Sequence, residues 1–91
     1  MSPTVTHDRD ARRLEARVDG VSCVLDYRLD AGVMTITRTS VPSAVGGRGI
    51  AAALVKSALE IARDAGWKVV PACSYAAAWM ERHPEYDDLR A

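Results

Sequence analysis

The chain has 91 residues, 48% of them hydrophobic, which suits one folded domain with one core and is too apolar for a disordered chain. Twelve Lys/Arg balance twelve Asp/Glu for a formal net charge of zero, excluding a broad basic footprint for nucleic acid or an anionic membrane and leaving any anion site local. The two cysteines belong to no CxxC or zinc-spaced cluster and no apolar run reaches the length of a membrane span, so the expectation is a cytosolic protein without metal or disulfide.

The opening MSPTVTHDRDARR is charged and lacks an apolar h-region, so residues 1–11 are expected to be flexible and His7 to face solvent. RRLEARV, residues 12–18, alternates, with Leu14, Ala16 and Val18 on one face of a half-buried strand. Asp19-Gly20 supplies a tight hairpin turn, and VSCVLDYRL resumes the alternation with Cys23, Leu25 and Tyr27 on the core face. Asp30-Ala31-Gly32 turns the chain again into VMTITRTSV, residues 33–41, rich in β-branched residues, which completes a three-stranded antiparallel meander.

Pro42 cannot donate to a ladder and ends that strand; residues 43–49 form a loop. From Gly49 to Ala65, Ile50, Ala53, Leu54, Ala58, Ile61 and Ala62 recur at helical spacing, and Gly66 stops the helix. WKVV then reads as a short strand ended by Pro71, parallel to the third through a right-handed crossover. A second helix over residues 75–82, capped by Ser74, ends at His83-Pro84, and residues 87–91 are expected to fray. The class is therefore α/β. So small a chain implies an open active site, or burial gained by forming a homo-oligomer.

The stretch GGRGIAAALV places a strand, a glycine-containing loop and a helix start in succession. Unpaired N–H groups at a helix start point outward and add to the positive end of its dipole, which makes an anion site. A Walker loop is excluded because GxxxxGK followed by Ser or Thr is absent. The dinucleotide fingerprint is excluded because the loop follows a meander. A plain flexible turn remains the alternative.

The order of meander, glycine loop, long helix, short strand and second helix resembles the GNAT superfamily of N-acetyltransferases. The superfamily's Q/RxxGxG/A loop falls on Gly46, Gly47, Arg48, Gly49, Ile50 and Ala51, with Gly49 and Ala51 matching and Gly46 departing. VPSAVGGRGIAAALV, WKVVPACSYAAAW and ERHPEY, in that order, are similar to the small single-domain YjdJ-type branch across nearly the whole chain. The resemblance implies a minimal GNAT-like fold and acetyl-CoA as co-substrate. It also implies that amides around Val45 to Ala51 hold the CoA pyrophosphate, that Arg48 assists a phosphate, and that the strand edge at Thr39, Ser40 and Val41 pairs with pantetheine. Where the branch often has His-Thr-Glu, this chain has Arg38, Thr39 and Ser40, so no acidic base stands at position 40.

Cys73 follows a strand and precedes a helix, where the dipole favours a thiolate; it is either an acyl acceptor or a small buried hydrophobe. Cys23 belongs to the core face. His83 is a candidate base, or a helix C-terminal cation, and Tyr75 and Tyr86 are candidate phenolic acids or packing residues. Trp67 and Trp79 are read as core. Two functions fit these residues. One is an acetyl-CoA-dependent N-acetyltransferase acting on an unidentified amine, small molecule or protein, directly or through Cys73. The other is a non-catalytic CoA-binding or protein-interaction module with the same fold.

Overall fold

The alternating segments form strands, as their period requires, and the short turns between them make the strands antiparallel. The structure, a computed structural model, describes residues 3–91. Strands β1 (Val5–Asp8), β2 (Arg13–Val18), β3 (Val21–Asp30) and β4 (Val33–Ser40) run antiparallel in that order, and β5 (Lys68–Pro71) lies parallel to β4 at the edge of the five-stranded sheet. The α/β class and the parallel fifth strand agree with the sequence. Asp19 and Gly20 both take positive φ, 51° and 74°, as a two-residue hairpin turn of matching twist requires.

The segment expected as a flexible tail contains β1, so the antiparallel part has four strands, not three. Its alternation is short but real: Val5 and His7 turn inward, Thr6 and Asp8 outward. His7 is consequently not free in solvent; its Nε2 lies 2.7 Å from the Tyr27 hydroxyl. The other terminus differs similarly. Pro84–Leu89 form a 3-10 segment that buries Tyr86 and Leu89, and the Ala91 N–H donates to Val69 O at 3.0 Å where fraying was expected. Two apolar side chains one 3-10 turn apart supply the anchor that a polar composition concealed.

Helices α1 (Ile50–Ala65) and α2 (Ser74–Glu81) cover one face of the sheet. Leu14, Leu25, Met34, Ile36 and Val69 from the strands meet Leu54, Leu59 and Met80 from the helices in one core. Gly66, at φ 76°, closes α1, its N–H donating to Arg63 O and that of Trp67 to Ala62 O. Ser74 is the first residue of α2 rather than its cap; Cys73 occupies the cap position, with no side-chain cap bond.

The opposite face carries exposed Arg13, Arg17, Arg28, Thr37 and Arg38 and no helix among the described residues. One irregularity interrupts the sheet. Asp26 pairs with Arg38 but Tyr27 with Ile36, so Thr37 is an extra residue bulged out of β4. Its insertion turns both Thr37 and Arg38 to the polar face and brings Thr39 back to the helix-bearing side.

Candidate active site

Three segments converge at one end of the sheet: the end of β4, the loop into α1, and the start of α2. The β4–β5 ladder stops at the pair Ile36 and Pro71, although β4 runs on to Ser40. A final tie, Cys73 N–H to Ile36 O at 2.9 Å, fixes the start of α2 at that point. Beyond it the β5-facing edge of β4 has no strand partner, leaving backbone groups to be satisfied by water or a ligand.

The loop from β4 to α1 begins with a 3-10 turn, Ser43–Val45, in which the Val45 N–H donates to Pro42 O and the Gly46 N–H to Ser43 O, each at 3.1 Å. These two amides, both expected in an anion cradle, are therefore committed inside the turn. The first amide bonded in α1 is that of Ala53, to Gly49 O. Among the described residues, the amides of residues 47–52 have no backbone acceptor. Gly47 and Gly49 adopt φ of 77° and 75°, which L side chains rarely take, and a Cβ at either would meet no atom within 4 Å. Glycine is thus required there by conformation, not by crowding within the chain.

A cleft of about 270 Å³ opens against this array, lined by Val41, Gly46, Gly47, Gly49, Ile50, Ala51, Ala52 and, from α2, Tyr75. Amides along the start of a helix of 16 residues and open glycine positions make an arrangement able to hold an anionic group. Arg48 does not line this cleft. Its Nη1 donates to Asp19 Oδ2 at 2.6 Å on the β2–β3 hairpin, a partner far away in sequence. Val45 is buried, and Thr39 and Ser40 stand on the strand leading to the cleft.

Cys73 Sγ lies 3.5 Å from Thr39 Oγ1, on the side of the sheet that carries the helices. Partial burial pushes this thiol up, but contacts with the Thr39 hydroxyl and the Ala76, Tyr75 and Thr39 backbone outweigh it and hold the pKa below the ordinary thiol value. In the neutral form the S–H donates to the hydroxyl; once ionised, the sulfur accepts from it.

The other candidates separate. His83 lies beyond the far end of α2, about 12 Å of helical rise from its start, stacked on Trp79 at 3.7 Å with its Nδ1 3.4 Å from Glu85 Oε2. The structure does not bring His83 to Cys73. Tyr86 donates its hydroxyl to Glu60 Oε2 at 2.6 Å inside the α1 contact, and Cys23 is wholly buried. Trp79 packs in the core and Trp67 against it. Among the described residues no group of three or more His, Cys, Asp or Glu could hold a metal ion, and no helix is long and apolar enough to cross a membrane. The pairing of Thr39 with Cys73 was missed, because nothing in sequence marks the bulge that turns Thr39 inward.

A family model described as GCN5-related N-acetyl-transferase matches residues 13–89. Protein NATD1 of Mus musculus is 32% identical over 83 residues, covering 88% of this chain and 76% of that protein. Protein NATD1 of Homo sapiens shows the same identity across 74% of its length. A GCN5-like protein from Staphylococcus aureus, solved by NMR, superposes with a TM-score of 0.77 at 24% identity, covering 99% of this chain and 89% of the other. That likeness establishes the fold.

Proposed function

The chain belongs to the GCN5-related N-acetyltransferase family, and from that premise we propose that it transfers the acetyl group of acetyl-CoA to an amine by way of Cys73. The observation that carries this reading is the position of the Cys73 thiol, 3.5 Å from Thr39 Oγ1 where the β4–β5 ladder ends and two residues before Tyr75, which lines the cleft at the α1 start. The residue 47–52 amides bind the pyrophosphate, and the free edge of β4 at Thr39, Ser40 and Val41 pairs with the pantetheine amides. The thioester is then directed toward the Cys73 sulfur.

The Cys73 thiolate attacks the acetyl carbonyl carbon, and the carbon–sulfur bond to CoA breaks as the new thioester forms. Tyr75, in the wall of the cleft, supplies a proton to the departing CoA sulfur. An unprotonated amine attacks acetyl-Cys73, releasing the amide and regenerating the thiolate, while the proton it sheds is returned through solvent to Tyr75. Position 40 carries serine rather than an acid, and His83 lines a neighbouring cleft with Arg48, Gly49 and Ala52 instead of meeting Cys73, which favours the cysteine relay.

Mixing protein with acetyl-CoA and reading intact mass tests the relay. The expected result is one acetyl group on wild type and none on Cys73→Ser. Transfer to amines with no acetyl-cysteine would establish the direct route instead. Binding without any transfer would establish a CoA-binding module.

A further inference from the structure

We propose that the acetyl acceptor is an amine bearing an anionic group, carboxylate or phosphate, and that Arg38 on the open sheet face receives that group. The inference rests on the transferase reading above and specifies its second substrate. Register places Asp8 opposite Arg13, Arg13 opposite Asp26 and Asp26 opposite Arg38, a row of alternating charge crossing β1 to β4. Inside the row charge is matched: Arg13 grips Asp26 with Nε at 2.6 Å and Nη2 at 3.3 Å. Both Asp26 oxygens are thereby engaged, and Arg38 Nη1 comes only to 3.9 Å of one of them, beyond hydrogen-bond length. Arg38 ends the row with its donor fork open and its side chain 61% exposed.

The position of that fork follows from the bulge. Thr37 is the inserted residue, and it sends Arg38 to the polar face at the first stretch of β4 that β5 no longer pairs. The next residue, Thr39, faces the opposite way and contacts Cys73. Acyl carrier and cation therefore stand on two sides of one strand edge, a single residue apart in sequence. An amine reaching Cys73 from the open face passes this guanidinium, whose charged neighbour Asp26 is already held on both oxygens by Arg13. A simple alkylammonium offers the guanidinium no acceptor, whereas a carboxylate or phosphate accepts a bidentate pair of N–H bonds. The alternating row and zero net charge exclude a polyanion as the occupant.

Acetyl transfer measured with matched amines tests this: γ-aminobutyrate against n-butylamine for carboxylate, and phosphoethanolamine against ethanolamine for phosphate. Wild type should prefer the anionic member of at least one pair about tenfold in kcat/KM, the scale of one charge-assisted bond. Arg38→Gln should erase that preference through KM, Arg38→Lys should keep part of it, and Arg28→Gln, on the same face but outside the row, should keep all of it. Equal use of charged and uncharged amines, or a preference that survives Arg38→Gln, overturns the assignment. If wild type binds acetyl-CoA but turns over none of these amines, γ-aminobutyrate and phosphoethanolamine are titrated while the Arg38 side-chain N–H signals are followed by NMR; a shift with either supports the assignment and no shift with both overturns it. Failure to bind acetyl-CoA would instead refute the function proposed above.

Discussion

Cys73 is the residue on which the chemistry depends, and its neighbours decide its ionisation. Burial acts first and raises the thiol pKa, yet the Thr39 hydroxyl and nearby backbone contacts favour the thiolate by more. Removing the hydroxyl leaves the burial and takes away one stabilising contact, so Thr39→Val should raise the pKa. The check is the pH profile of iodoacetamide alkylation: its midpoint moves to higher pH in Thr39→Val, and the rate at neutral pH falls by a few-fold. An unmoved midpoint would remove Thr39 from the site. Sequence singled out Cys73 through its place before a helix, and the family resemblance singled out Thr39 as part of a strand edge facing pantetheine. Neither could join them, because they are 34 residues apart and meet only across a bulged strand.

The elements that sequence reading missed are the short ones. β1 has four residues and the C-terminal 3-10 segment six, both mostly polar, so neither gives a periodic signal above its charged surroundings. Each is held by partners elsewhere: β1 by β2 and by His7 against Tyr27, the C-terminal segment by Arg63 with Asp88 and by Tyr86 with Glu60. The Glu60 carboxylate accepts from the Tyr86 hydroxyl and, with burial, pushes that phenol from its ordinary value near 10 up to about 12. The folded state therefore keeps a proton that the unfolded chain releases. This contribution is complete below about pH 10 and is lost as pH rises toward 12. Thermal melts over that interval should show a steeper fall for wild type than for Tyr86→Phe. Parallel curves would mean that the bond adds nothing to docking of the tail.

At the scale of the molecule, a Cα radius of gyration of 12.3 Å is that of a compact chain of this length, with one helical layer on one sheet. Among the described residues the helices cover one sheet face only, and the polar side chains of the other face make its exposure tolerable. Stability in so small a core is modest, so ligand binding should be visible as linkage. Acetyl-CoA at about a hundred times its Kd adds about 2.7 kcal/mol, a rise in Tm of roughly 10–20 °C. Gly49→Val, forcing a β-branched residue to φ 75°, should cost about 1–2 kcal/mol and greatly reduce that rise. If it left the rise intact, the glycine loop would be a plain turn and the cradle would lie elsewhere.

Local chemistry was enough to reveal most of the fold: alternation marked two strands and β-branched residues a third, Asp-Gly and Gly66 marked turns, helical spacing marked α1, and an intervening helix required the parallel fifth strand. These signals are carried by neighbours in the chain, and neighbours interact wherever the chain goes. The site was legible only in outline, as a glycine loop, a strand edge and a cysteine. Tertiary structure decided that Val45 and Gly46 spend their amides on a 3-10 turn, that Arg48 serves the hairpin, that His83 stands apart, and that Thr39 meets Cys73 while Arg38 faces away. Each of those outcomes depends on a register or a contact between distant segments. One inserted residue in β4 reverses the side on which the following side chains emerge, and no single position in the sequence carries that information.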